Sequence, residues 1–147
     1  MTTPLNRVLR QLIDVLTRDV QGYRELRTLL DAQFDAALAH HAASMDQLAG
    51  RIVTQVEGID ARRESRDGML AQLAGRRERP GLRALAARLP AAVPLPLRER
   101  LAEVCGQLEQ LTVDCKRLNL RNCELIHEQH ALMQRLLGQP EASYAQP

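Results

Sequence analysis

From Leu97 to Leu136 the chain sets Leu97, Leu101, Val104, Leu108, Leu111, Cys115, Leu118, Asn122, Leu125, Gln129, Leu132 and Leu136 at alternating steps of four and three. An unbroken 4-3-4-3 pattern is a heptad register. It winds one apolar stripe along a single long helix and requires another helix to cover that stripe. Gly138 and Pro140 supply the stop.

The N-terminal half repeats the theme. Thr3 reads as an N-cap with Pro4 at the first helical position. Leu5, Leu9, Leu12, Leu16, Val20, Tyr23, Leu26, Leu30, Phe34 and Leu38 then recur every three or four residues. Gly22 interrupts them at a cost of about 1 kcal/mol relative to alanine, too little to end so long a pattern. The stripe breaks at His40-His41, which read as helix-end capping and loop polarity. Ser44 with Gln47 forms a capping-box pattern for a second helix, and a restart near Ala42 is the alternative. Met45, Leu48, Ile52, Val56, Ile59, Met69, Leu70 and Leu73 keep helical register, with Arg62, Arg63, Glu64, Ser65 and Arg66 marking a more exposed middle.

Composition agrees with a Leu- and Ala-rich helical core. Aromatic residues make up 2% of the 147 residues, namely Phe34, Tyr23 and Tyr144, and β-branched residues are scattered. Residues 75–97 carry Gly75, Pro80, Gly81, Pro90, Pro94 and Pro96, and leave room for one short helix over Leu82–Leu89. Helices of about 30–40 residues span roughly 45–60 Å and gain most of their stability by packing. The expected fold is all-α: an elongated antiparallel bundle of three long helices, running up-down-up, with a short helical, Pro-containing crossover before the last. Residues 1–138 form the expected single domain, 75–97 its crossover and 139–147 a flexible tail.

Net charge is +2, unevenly spread. Residues 61–100 hold 10 basic and 4 acidic side chains, against 6 and 8 before them and 4 and 6 after. A basic belt suits nucleic acid or an acidic partner surface, but a solvated Arg-rich face is its commoner meaning, and stacking aromatics are absent from it. No nucleic-acid partner is expected. Three cysteines, Cys105, Cys115 and Cys123, without a C-x-x-C spacing fit a reducing cytoplasm better than a disulfide or zinc scaffold. With no signal-like apolar segment and no run of 18 apolar residues, the expectation is a cytoplasmic protein without membrane insertion.

Chemistry is sparse. Glu124 and His127 have the E-x-x-H spacing of di-iron bundles, but such a site takes two of these motifs and further glutamates, and the chain has one. Cys123, His127 and His130 share a helix face at i, i+4 and i+7, too splayed to surround an ion without a fourth ligand. Phosphate-binding loops and nucleophile motifs are missing, so no catalytic residue, metal or cofactor is expected. Interaction chemistry remains. Asn119 and Asn122 put amides beside the apolar stripe, and Asn122 falls on it. One reading is a buried, register-setting asparagine of the coiled-coil kind. The other is a groove that receives a partner helix, its polar groups met by the amides and its apolar face by Leu118, Leu125 and Ile126. A coiled-coil scaffold whose stripes seal completely is the structural alternative.

The stretch Leu111–Ile126, with Asn119-x-x-Asn122 followed by apolar Leu125 and Ile126, resembles the last helix of FlgN-type flagellar export chaperones. The plan of two long helices, a Pro-containing link, a third long helix and a short tail with a tyrosine is also similar to that family. The resemblance implies a cytoplasmic type III export chaperone that holds the C-terminal helices of hook-filament junction proteins (FlgK- and FlgL-like) and delivers them to an FlhA-like export gate. It implies client binding by Leu118, Asn119, Asn122, Leu125, Ile126 and Leu132. It also implies gate binding by Tyr144, although the tail reads Ser143-Tyr144-Ala145-Gln146-Pro147, where the family often has glycine after the tyrosine.

Overall fold

The computed structural model describes residues 3–74 and 81–138. Among them are four helices: α1 (Pro4–Leu38), α2 (Ala42–Ala74), α3 (Leu82–Ala87) and α4 (Leu95–Leu136). The expected all-α bundle is therefore present, with its short helix in the crossover. Thr3 caps α1, its hydroxyl accepting from the Asn6 amide at 3.1 Å. At the other end the amides of His40 and His41 return to the carbonyls of Ala37 and Ala36, with His40 in the left-handed region at φ 55°. That is a Schellman turn with histidine where glycine is usual, and it folds the chain back tightly enough for α2 to begin at Ala42. Ser44 consequently lies inside α2 rather than capping it.

Helix α1 is the shared partner: α2 and α4 both pack on it, and α3 packs on α4. The cross-links show the directions. Asp19 meets Arg62 and Arg66, and Gly22 meets Gln55, so α1 and α2 run antiparallel. Tyr23, Leu30 and Ala37 meet Cys115, Asn122 and Gln129, a constant offset of 92, so α1 and α4 run parallel. These last three contacts form a ladder with a seven-residue period. At one heptad position of α4, Cys115, Asn122 and Gln129 each donate to an α1 backbone carbonyl, at 3.4, 2.6 and 2.9 Å. A polar group in successive heptads of a seam forbids sliding, because a shift would bury the donors against aliphatic side chains.

The core tapers. At one end Leu9, Leu12, Leu16, Val20, Leu70, Leu85, Val93, Leu97, Leu101 and Leu108 draw on all four helices and the link before α4. Arg98 holds that link, donating from Nε to the Val93 carbonyl at 3.2 Å and from Nη2 to the Leu89 and Pro90 carbonyls. Towards the other end the core thins to Leu26, Leu30, Ile59, Cys115 and Leu118. The middle of α2 is only partly exposed. Arg63, Glu64 and Ser65 face solvent, but Arg62 and Arg66 turn in to Asp19, which is fully buried.

Candidate functional site

The α4 stripe has two different fates. From Leu97 to Asn122 all eight heptad positions are buried against α1 and its neighbours. Past Asn122 cover is lost: Leu125 and Gln129 are half-buried, Leu132 is 51% exposed and Leu136 73%. The offset of 92 explains this, since Leu38, the last residue of α1, lies level with His130 of α4. Leu132, Met133, Leu136 and Leu137 therefore project beyond the end of the central helix.

A groove of about 210 Å³ leads to this overhang. It runs between α2 and α4, floored by Leu26 and Leu30 of α1 and walled by Ile52 and Val56 on one side and Cys115 and Asn119 on the other. Among the described residues α2 and α4 have no extensive interface with each other, which is why the groove stays open. Heptad-equivalent positions extend both walls. Met45 lies seven residues before Ile52 and is half-buried like it, while half-buried Ile126 and exposed Met133 follow Asn119 at steps of seven. Half-buried Leu125 and Ile126 thus lie between the groove and the exposed tip of α4, and the groove together with these residues and the tip is called the track below.

This places the residues singled out in the sequence on two sides of a boundary. Leu118 (4% exposed) and Asn122 (1% exposed) sit in the α1–α4 seam and not on an open groove. The two donor bonds of Asn122 go to the Leu30 carbonyl and to Gln33 Oε1 at 2.9 Å, and its Oδ1 accepts from Arg121 Nε at 3.2 Å. Its amide is fully used within the fold, which is the register-setting role. Asn119, Ile126 and Leu132 are accessible in whole or part, Leu125 is half-buried, and Tyr144 lies outside the described residues. The sequence reading overlooked Met133 and the α2 wall, although the step of seven from Ile126 points to Met133.

Cys123, His127 and His130 are all exposed, with His130 Nε2 against Gln134 Nε2 at 3.1 Å. No group of three metal-ligating side chains is found among the described residues, and no described helix is long and apolar enough to cross a membrane. The thiols differ sharply. Burial, outweighing nearby Arg27 and reinforced by Asp114 and Asp31, raises the Cys115 thiol above its ordinary 9.0, and burial with Glu109 raises Cys105 despite Arg66. Under native conditions Ellman's reagent should find one fast thiol, Cys123, and two slow ones. Folding favours the protonated form of the slow pair, so their contribution to stability holds below pH 9 and declines as pH rises past it. Equal rates for Cys115 and Cys123 would contradict the seam packing.

The FlgN protein family model matches residues 1–138. The chain belongs to the FlgN family. Membership makes it a chaperone of flagellum biogenesis, of the flagellar export type. No curated protein and no solved structure matches the chain. In this FlgN chaperone the α4 stripe is sealed as far as Asn122 and uncovered beyond it.

Proposed function

We propose that this FlgN protein is a cytoplasmic, ATP-independent holder of the C-terminal amphipathic helices of hook-filament junction proteins of the FlgK and FlgL kind, and that it delivers them to an FlhA-like export gate. The observation that supports this reading best is the uncovered heptad stripe of α4 beyond Asn122, on the same helix that walls the α2–α4 groove. A client helix laid there adds the partner that α1 ceases to provide after Leu38. Its apolar side meets Leu125, Ile126, Leu132 and Met133, and Asn119 offers an amide to its polar edge. Leu118 and Asn122 act indirectly, by fixing α4 on α1. Tyr144, carried over from the family resemblance, is the proposed gate contact.

The track is tested by Leu132→Asp and Met133→Asp, both at exposed positions where a charge leaves the fold intact. Affinity for a junction-protein C-terminal peptide should fall by about 1–3 kcal/mol per substitution, the scale of an interface anchor, with an unchanged melting temperature. Unaltered affinity in the double variant would remove the overhang from client binding. It would favour the sealed coiled-coil scaffold instead.

A further inference from the structure

A second cleft, of about 430 Å³, opens between α2, α3 and α4. Its aliphatic lining, called the floor below, comprises buried Leu108, half-buried Leu82 and, at its edge, Val113 at 57% exposure. Its rim is cationic. Arg63 on α2 has a side chain 56% exposed and only a loose 3.8 Å contact to Asp60, while Arg83 on α3 is 83% exposed and meets Glu109 of α4 at 2.9 Å. Arg66 also lines the cleft but is committed to Asp19. Tyr23 and Thr112 line both this cleft and the α2–α4 groove, so the cleft abuts the mid-bundle end of the client track; Val113 lies 20 residues before Met133 on the same helix, roughly 30 Å from the exposed tip at 1.5 Å per residue.

We propose that this cleft is a second docking site, for a short acidic peptide segment that inserts an apolar side chain between Arg63 and Arg83. Charge complementarity selects the occupant. Two exposed guanidiniums on different helices present planar forks suited to carboxylates, and the volume lies within the usual range of about 300–1,000 Å³ for ligand clefts. The exposed Arg83–Glu109 pair contributes little to stability, so Arg83 exchanges readily to an incoming carboxylate. Freed Glu109 then accepts from peptide amides. The same Glu109 disfavours a continuous polyanion. The aliphatic floor, with half-buried Tyr23 its one aromatic lining residue, lacks the stacking surface that single-stranded nucleic acid uses. A partner bound here leaves the α4 overhang beyond Asn122 free.

The test uses a fluorescein-labelled synthetic 12-mer carrying a central leucine pair flanked by glutamates, read by anisotropy on the full chain. Saturable binding is expected. Arg63→Glu/Arg83→Glu should weaken it at least tenfold and should restore binding to the same peptide with lysines in place of glutamates. Val113→Asp, which touches only the floor, should also weaken it at least tenfold, and Leu136→Asp should leave it unchanged. All four positions are exposed, and an unaltered helical melting curve certifies the fold. Binding insensitive to the double charge reversal overturns the proposal. So does loss of binding in Leu136→Asp, which would put the peptide on the client track. Displacement of the peptide by a thymidine 20-mer bound through the same arginines would overturn it in favour of nucleic acid.

Discussion

Replacing both Arg62 and Arg66 with alanine is expected to cost about 3–5 kcal/mol of folding stability, a large fraction of what a domain of this size holds. Asp19 is fully buried, and each carboxylate oxygen has one partner: Arg62 Nε at 2.7 Å on Oδ1 and Arg66 Nη1 at 2.9 Å on Oδ2. Losing the cations strands an ionised group where water cannot reach it. The reverse substitution, Asp19→Leu, should be milder, because the two arginine side chains are 30% and 17% exposed and regain some hydration. Helix α2 feels the loss most, since among its described residues only Ile59 and Leu70 are buried apolar ones. Gly22 belongs to the same device. A Cβ there would fall on Arg62 Nη2, so the glycine is what lets the guanidinium cross α1 to reach Asp19. Urea unfolding of the single and double variants measures the asymmetry. A double variant that loses less than about 1 kcal/mol would mean that the carboxylate finds water on its own.

The second large effect lies in the α1–α4 seam. Leu118→Ala should cost about 2–5 kcal/mol, as for other buried leucines. Asn122→Ala should cost about 1–3 kcal/mol, because it removes the amide's bonds to Gln33 Oε1 and to the Leu30 carbonyl, which keeps only its helical donor, from a buried seam. Neither variant should alter client affinity per folded molecule. The contrast with Leu132→Asp and Met133→Asp is diagnostic, since those exposed residues should move affinity and spare stability. Parallel melting curves and titrations on the four proteins separate the two halves of one heptad stripe. A fully folded Leu118→Ala protein with weakened client binding would show that the seam opens to receive the client.

Helix existence, extent and direction were determined locally, and so were legible in the residues. Thr3-Pro4 starts α1, the 4-3-4-3 run carries α4 to Leu136, and prolines confine α3 to the crossover. For Asn122 the sequence left two readings open, a register residue and a groove residue, and only the packing of α4 on α1 places its amide on Leu30 and Gln33 inside the seam. The family resemblance, too, rested on local sequence. Other features depended on neighbours that no local pattern specifies. Asp19 falls at the step between Leu16 and Tyr23, so its burial was within reach, but its pairing needed α2 to bring Arg62 and Arg66 across. The start of α2 at Ala42 rather than Ser44 follows from a left-handed His40, which sequence alone does not favour. Above all, periodicity states that one face of α4 is apolar and is silent about what covers it. Leu118 and Leu132 are two heptads apart and indistinguishable by spacing, yet one is 4% and the other 51% exposed. The difference arises because α1 ends at Leu38 while α4, set 92 residues out of step, continues. Relative helix length and register, properties of the assembled bundle, decide where the sealed core stops and the free surface begins.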